Sequence, residues 1–205
     1  ILNYILHIKI SNFNFKNHVI EYPYLNQVSS LEGFMFPDTY RFRFNTSPEK
    51  VFERLIQNFE SKMWPIISAR KDWYQSLILA SYLEREVINF EDRQIVAGIL
   101  LKRKQNGWPL QVDATIVYAK CGGAIKGCSD ALLAKSDLSM ASPYNTYQKL
   151  GFTPTPISNP GAAALEAAVS PKVSKYWYYL SAKETQETIF SKTLEEHNQN
   201  RAKYL

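Results

Sequence analysis

Apolar residues recur every three or four positions through much of the chain, the spacing that puts them on one face of an α-helix. Val51, Leu55 and Phe59 share such a face, and Ser47 followed by Pro48 is a typical helix start. The same reasoning predicts further helices over about 74–88 and about 92–105, one beginning near Asp113, an alanine-rich one between Pro160 and Pro171, and one in the closing SKTLEEHNQNRAKYL.

Shorter apolar runs predict a few strands. KYWYYLSA (175–182) and ETIF (187–190) have the length and aromatic content of a strand pair. Residues 1–30 are rich in Asn, Tyr, Phe and Ile, which favours further short strands, the opening ILNYILHIKI among them. Because helices dominate, we predict an α+β fold: a mainly helical domain over residues 31–205 with a few short strands at its edges, preceded by an upstream remnant in residues 1–30.

The composition suits one globular domain. Of the 205 residues, 45% are hydrophobic, which is enough for a sizeable core. The net charge of +5 fits an acidic polymer as partner, but the Lys and Arg residues are scattered, so we expect no nucleic-acid binding. No run approaches the ~20 apolar residues that a membrane-spanning helix needs. Since the chain begins with Ile, we expect it to be a processed or truncated piece.

Cys121 and Cys128 flank GGAIKG in a glycine-rich loop. With no other Cys or His nearby in the sequence, a zinc site is not expected, and we predict no metal and no other cofactor. Two alternatives stay open for the cysteines: a disulfide that closes the loop in a protein outside the cytosol, or two free thiols.

The run SLILASYLEREV (76–87) places two glutamates in an otherwise apolar helix. Glu84 falls within the apolar stripe, which is formed by Leu77, Ala80, Ser81, Val87 and Ile88. In one interpretation its carboxylate pairs with an arginine: Arg85, Arg93 or Arg103. In the other, low-dielectric surroundings raise the pKa of the carboxyl and keep it protonated near neutral pH, as a general acid requires.

Glu86 is the competing carboxyl in this run. It adjoins Arg85, and its helix face carries the large side chains of Leu79, Tyr82 and Leu83. We therefore expect Glu86 to be paired or exposed rather than catalytic.

Other catalytic patterns have little support. The histidines lie at the two ends of the chain, which argues against a Ser-His-Asp or Cys-His arrangement: His7, His18 and His197. Polar and aromatic side chains concentrate instead in the middle loops: Gln111, Asp113, Tyr144, Asn145, Thr146, Tyr147 and Asn159. Such groups hydrogen-bond to sugars and stack on them, so one acid among them indicates cleavage of a glycosidic bond.

Five stretches taken together resemble the MltG (YceG-like) family of endolytic murein transglycosylases: LEGFMFPDTY, LILASYLEREV, VAGILLKRKQNGWPLQVDATIVYA, SPYNTYQKLGFTPTPISNPGAAALEAAVSP and FSKTLEEHN. Their order and spacing match over roughly residues 31–198, and YNTY followed by PISNPG is the most distinctive pair. The resemblance implies a bacterial cell-wall enzyme that cuts nascent peptidoglycan glycan strands internally. It also implies a place on the extracytoplasmic face of the inner membrane, held by an N-terminal anchor that this chain lacks, and allows peptidoglycan synthases as partners.

The same resemblance assigns the catalytic role to the first glutamate of ASYLERE, which is Glu84. Glu84 is then expected to protonate the oxygen between N-acetylmuramic acid and N-acetylglucosamine, and afterwards to accept a proton from the 6-hydroxyl that closes a 1,6-anhydro ring. No second carboxylate is required, although Asp113 remains a candidate.

The remaining site residues have two interpretations each. We expect Gln111, Asp113, Tyr144, Asn145, Tyr147 and Asn159 to line the glycan cleft; the alternative is that they hold the loops together by turn and cap hydrogen bonds. For Glu32 and Tyr40 a structural role is favoured over a place in the cleft wall.

Two departures from the family pattern are visible. The histidine that usually precedes the phenylalanine of the last strand is missing from KETQETIF, and the upstream LysM-like module is absent or vestigial. The alternative function is a non-catalytic peptidoglycan-binding or scaffold protein of the same fold. A deep cleft at Glu84 would favour the enzyme, whereas an occluded, arginine-paired carboxyl would favour the scaffold.

Overall fold

The helices begin and end at signals that the sequence carries. In the computed structural model, which describes residues 14, 17, 20–123, 128 and 133–205, the α-helices are α1 (Pro48–Lys62), α2 (Trp64–Ile67), α3 (Trp73–Glu86), α4 (Phe90–Gln105), α5 (Asp113–Lys120), α6 (Ala162–Val169) and α7 (Leu194–Tyr204). Ser47 caps α1, and Asn89 caps α4, by accepting hydrogen bonds from backbone N–H groups of the first turn. The helices predicted from the apolar spacing are confirmed.

Two short strands form a hairpin next to the last helix. β1 (Tyr178–Ser181) and β2 (Thr188–Ser191) pair antiparallel, with Tyr179 opposite Phe190. Helix α7 packs against both strands. The predicted strand pair is confirmed, as is the mainly helical α+β class.

The core is built around α3. Every residue from Ser76 to Leu83 is buried, because α6 and α4 both pack against this helix. An aromatic group covers its start: the rings of Tyr24 and Trp64 are stacked 4.4 Å apart, and Trp64 meets Trp73 edge-on at 5.3 Å. Burial on nearly all sides explains why α3 has a continuous apolar run rather than a single stripe.

Two sequence predictions at the edges are wrong. Within residues 1–30, where strands were predicted, the segment Pro23–Gln27 is a 3-10 helix whose Tyr24 and Leu25 are buried in the main core. The opening ILNYILHIKI lies outside the described residues. Ile88, placed on the apolar stripe, is 72% exposed, because α3 ends at Glu86 and Val87 is already extended.

Cys121, directly after α5, is joined to Cys128 by a disulfide with the two Cα atoms 5.7 Å apart. Of the two alternatives for these cysteines, the structure shows the bridge. Among the described residues, none of the helices combines the length and the apolar character that crossing a lipid bilayer requires.

Candidate active site

Glu84 lies in the last turn of α3 with its side chain 33% exposed. Its Oε2 accepts a hydrogen bond from the backbone N–H of Gly161, at 3.1 Å. Gly161 is the N-cap residue of α6 and has no side chain to cap the helix. The carboxylate of Glu84 therefore supplies an acceptor at the positive end of α6.

Arg93, near the start of α4, approaches the same oxygen. Its Nη1 lies 3.6 Å from Oε2 of Glu84, and its Nε donates a hydrogen bond to the carbonyl of Val87 at 2.7 Å. The arginine side chain is only 11% exposed. Arg93 is one of the three arginines that the sequence suggested as partners of Glu84. It lies close enough for an ion pair but too far for a hydrogen bond.

The two oxygens of Glu84 consequently differ. Oε2 is anchored by Gly161 and Arg93, whereas Oε1 has no hydrogen-bond partner within the described part of the chain. A third of the Glu84 side chain is exposed to solvent. Of the two interpretations given for Glu84, its contacts with an amide and a guanidinium fit the arginine-paired one better than the low-dielectric one.

The loop that carries Gly161 is fixed to α3 itself. Ser81 lies one turn before Glu84, and its Oγ accepts a hydrogen bond from the N–H of Ile157 at 3.0 Å. The hydroxyl of Ser158 donates to the carbonyl of Ser81 at 2.9 Å. The buried Ser81 in the middle of an apolar helix therefore positions the loop that reaches Glu84.

Asn159 connects the same loop to residues 32–35. Its Oδ1 accepts hydrogen bonds from the N–H groups of Gly33 (2.8 Å) and Met35 (3.0 Å), and its Nδ2 donates to Oε1 of Glu32 at 3.1 Å. Burial raises the pKa of Glu32, and the nearby Arg85 opposes that shift. These contacts are those of a residue that holds loops together.

Glu86 lies on another face of α3 and contacts two other elements. Its Oε1 accepts from the N–H of Ala114 at the start of α5 (3.2 Å), and its Oε2 accepts from the hydroxyl of Tyr179 on β1 (3.3 Å). Burial, followed by repulsion from Asp113, raises the pKa of Glu86 to about 7. Glu86 is partly buried and accepts hydrogen bonds on both oxygens, which fits the paired alternative predicted for it.

Tyr147 and Asp113 form a pair beside Glu86. The hydroxyl of Tyr147 donates to Oδ1 of Asp113, and burial together with that carboxylate raises the pKa of Tyr147. The side chains of Asp113 and Gln111 are both exposed. Gln111 has a φ of 54°, which is uncommon for a residue other than glycine. The N–H of Gln111 donates to the carbonyl of Thr146 at 3.1 Å, which holds the segment before α5 against the YNTY loop.

Within the YNTY loop the two predicted residues Tyr144 and Asn145 differ. Tyr144 is half-buried, with its hydroxyl 2.8 Å from Oγ1 of Thr155 and its ring 5.0 Å from that of Tyr118. Asn145 is fully buried, and its side-chain amide bonds to backbone groups of the surrounding loop. The buried amide suits the loop-holding interpretation.

The structure thus brings the predicted residues into two groups. One surrounds Glu84 and includes Asn159; the other surrounds Glu86 and includes Asp113 and Tyr147. Arg85 lies between them, since its charge acts on both Glu86 and Glu32. Tyr40, whose hydroxyl donates to Phe36 and accepts from Asn58, belongs instead to a small cluster against α1, as its favoured structural role predicts.

Neither Gly161 nor Tyr179 follows readily from the sequence pattern. A signal for Gly161 exists, because the alanine-rich helix lacks a Ser, Thr, Asp or Asn at its N-cap and needs an acceptor from elsewhere. No local signal marks Tyr179, which reaches Glu86 across 93 residues of sequence.

Comparison with known families matches residues 7–203 to the YceG-like family. The chain belongs to the YceG-like family. A solved structure of a YceG-like protein from Listeria monocytogenes covers 97% of this chain, and 67% of its own, with a TM-score of 0.78 and 29% sequence identity.

This YceG-like chain is also similar to proteins named endolytic murein transglycosylase. It is 39% identical over 180 residues to the one from Bacillus subtilis (strain 168) and 28% identical over 181 residues to the one from Streptococcus pneumoniae serotype 2 (strain D39 / NCTC 7466). Each match covers 85% of this chain but only 48% and 32% of the respective relative. The chain therefore spans about half the length of the first and a third of the second.

Proposed function

We propose that this chain is the catalytic part of an endolytic peptidoglycan lytic transglycosylase. It would cleave the bond between N-acetylmuramic acid and N-acetylglucosamine within nascent glycan strands and leave a 1,6-anhydro end, which limits strand length. Family membership and the names of the relatives support this activity. The observation that carries the proposal is Glu84, whose Oε2 is anchored, whose Oε1 has no partner among the described residues, and whose side chain is one third exposed.

In the first half of the reaction, Glu84 acts as general acid. Its proton resides on Oε1, which has no partner among the residues that the structure describes. The proton passes to the glycosidic oxygen as the bond from the muramic acid C1 to that oxygen breaks. Oε2 remains held by Gly161, so the carboxyl keeps its orientation while the proton leaves.

In the second half, the same carboxylate acts as base. It accepts the proton of the muramic acid 6-hydroxyl while O6 bonds to C1, which closes the anhydro ring and regenerates the protonated acid. Because the nucleophile belongs to the substrate, no second carboxylate is required. The N–H of Gly161 and the guanidinium of Arg93 stabilise the negative charge that Glu84 carries between the two steps.

The exposure of each predicted side chain indicates whether it can contact the glycan. Gln111 and Asp113 are exposed and Tyr144 and Tyr147 are half-buried, so these four side chains are proposed to meet the sugars. Asn145 and Asn159 are proposed to contribute through the loops that they hold, since their amides are already bonded within the protein.

The substrate also defines where the protein would work. Nascent glycan strands lie on the extracytoplasmic face of the bacterial inner membrane, so the proposal includes an upstream anchor and contact with peptidoglycan synthases. The Cys121–Cys128 disulfide supports a location outside the cytosol, where such bonds persist.

The test is digestion of purified peptidoglycan, with anhydro-muropeptides detected by mass spectrometry. Glu84→Gln is nearly isosteric and should reduce product formation at least about a hundredfold while the fold is kept. Glu91→Gln is the matched control, because that glutamate is 77% exposed at the start of α4. Normal 1,6-anhydro product from the Glu84→Gln protein would overturn the assignment.

The Arg93 contact also fits the alternative, a non-catalytic peptidoglycan-binding or scaffold protein. The same digestion separates the two functions. A scaffold would bind peptidoglycan without releasing any anhydro-muropeptide from the unaltered protein.

A further inference from the structure

Glu86 is a partly buried acid that the proposed reaction does not use. It ends α3, its Oε1 accepts from Ala114 in the first turn of α5, and its Oε2 accepts from Tyr179 on β1. The hydroxyl of Ser181 also donates to the backbone carbonyl of Glu86 at 3.1 Å. The end of α3, the start of α5 and β1 are therefore fixed to one another through this residue.

The fold does not need an acid at this position. Helix α5 has no side-chain cap of its own, and Oε1 of Glu86 fills that role. The amide oxygen of a glutamine would accept the same hydrogen bond without placing a second negative charge near Asp113. A carboxyl at a position where a neutral amide could cap the helix points to a use of its charge.

Charged and titratable groups of four elements act on Glu86, and Arg103 on α4 lies beside them; the four are Arg85 on α3, Asp113 on α5, Tyr179 on β1 and Tyr147 in the YNTY loop. Arg85 and the hydroxyl of Tyr179 favour the ionised carboxylate, whereas Asp113 opposes it. Arg103 acts on the two tyrosines. Since Asp113 in turn holds the hydroxyl of Tyr147, contacts that begin at Glu86 end at a residue proposed to meet the glycan.

We propose that Glu86 is a positioning residue for glycan binding, an inference that rests on the proposed function above. Its carboxylate holds the first turn of α5, and thereby the Asp113–Tyr147 pair, in the arrangement that receives the sugar. The ionised form is the competent one, because hydrogen bonds to a charged carboxylate are stronger than hydrogen bonds to a neutral carboxyl. Protonation removes that charge and so weakens the bonds from Ala114 and Tyr179, although the hydroxyl of Tyr179 can then accept instead of donate.

This positioning depends on pH. Burial and Asp113 raise the pKa of Glu86 to about 7, so its carboxyl changes charge near neutral pH. Glycan affinity should therefore increase as the pH rises from about 5.5 to about 8.

The test measures binding of uncross-linked glycan strands in the Glu84→Gln protein, in which residue 84 neither titrates nor cleaves. Adding Glu86→Gln should raise Kd about tenfold at about pH 8, the size of one hydrogen bond to a charged group, and leave it unchanged at about pH 5.5. In a protein that also carries Tyr147→Phe, Glu86→Gln should no longer change Kd at about pH 8, because Glu86 acts on the glycan through the hydroxyl of Tyr147.

Equal Kd values at both pH values would overturn the inference, as would a tenfold difference at both, which would indicate general damage to the site. If the Glu86→Gln protein does not fold, Tyr179→Phe is the second variant. It removes one bond to the ionised carboxylate, so Kd should rise about threefold and the pH midpoint of binding should move upward. An unchanged pH midpoint of binding would contradict the inference. Failure of the proposed function is a different result: the Glu84→Gln protein would then still release anhydro-muropeptides.

Discussion

Glu84 must satisfy opposite requirements in the two halves of the proposed reaction. It must hold a proton before the bond breaks and carry a negative charge afterwards. The N–H of Gly161 and the guanidinium of Arg93 both favour the charged form, and both act on Oε2. Oε1, which accepts no hydrogen bond from the described residues, is left to carry the proton. One oxygen thus holds the proton and the other interacts with the groups that stabilise the negative charge, so both requirements are met.

Arg93 should therefore affect the rate of the reaction. Arg93→Gln removes the positive charge 3.6 Å from Oε2, so the carboxylate that forms between the two steps loses stabilisation. We expect kcat to fall about tenfold, measured by the release of anhydro-muropeptides. Arg93→Lys keeps the charge and is the control; an unchanged kcat in the Gln variant would show that Arg93 does not act on the reacting carboxyl.

Gly33 is a residue whose small size the fold requires. Its φ is +94°, and a Cβ at this position would lie 2.7 Å from Cγ of Pro156. Gly151 has a similar φ of +85° with no atom within 4 Å of such a Cβ, so Gly151→Ala measures the backbone strain alone. Gly33→Ala should lower the free energy of unfolding in urea by about 1–3 kcal/mol more than Gly151→Ala. Equal losses would mean that the contact with Pro156 relaxes without cost.

At the scale of helices and strands, local signals decide what can be predicted. Ser47 and Asn89 cap helices next to themselves in sequence, so helix positions follow from the sequence alone. The partner of Glu84 is different, because Gly161 lies 77 residues away and donates only a backbone N–H. Periodicity placed Glu84 in the apolar run but could not distinguish its surroundings from those of Glu86, which long-range packing determines.

Two loops near the proposed site provide a prediction at this scale. Asn159 makes three hydrogen bonds to residues 32–35, and Asn145 makes three within its own stretch of chain, to residues 138, 140 and 147. Alanine at either position should lower the free energy of unfolding by about 2–4 kcal/mol, while the activity per folded molecule, measured below the unfolding transition, stays within about threefold. Tyr147→Phe should do the reverse, with weaker glycan binding and a small change in stability. Loss of activity without loss of stability at Asn159 would instead place its amide in the glycan cleft.

For the molecule as a whole, the proposed site lowers stability. α3 is buried from Ser76 to Leu83, yet its last turn carries two carboxyls, and the start of α5 adds Asp113 beside one of them. Neutral side chains would pack there at lower cost, so the stability of this domain is limited at the place where its proposed chemistry occurs. Because Asp113 repels the carboxylate of Glu86, the stability of the domain depends on pH.

The sign of that dependence follows from Glu86. Its pKa rises from 4.5 to about 7 on folding, so the folded protein prefers the protonated carboxyl. The contribution to stability is fully present below about pH 4.5 and is lost as the pH rises through about 7. Glu86→Gln imitates the protonated form at every pH, because its amide oxygen can still accept from Ala114. We therefore expect similar unfolding free energies for the two proteins at about pH 4.5 and a variant more stable by roughly 1–3 kcal/mol at about pH 8, measured by urea denaturation. Glu91→Gln, on the surface, should change the free energy of unfolding equally at the two pH values. If Glu86→Gln instead made the protein less stable than the unaltered chain at about pH 8, the ionised carboxylate would be stabilising the fold.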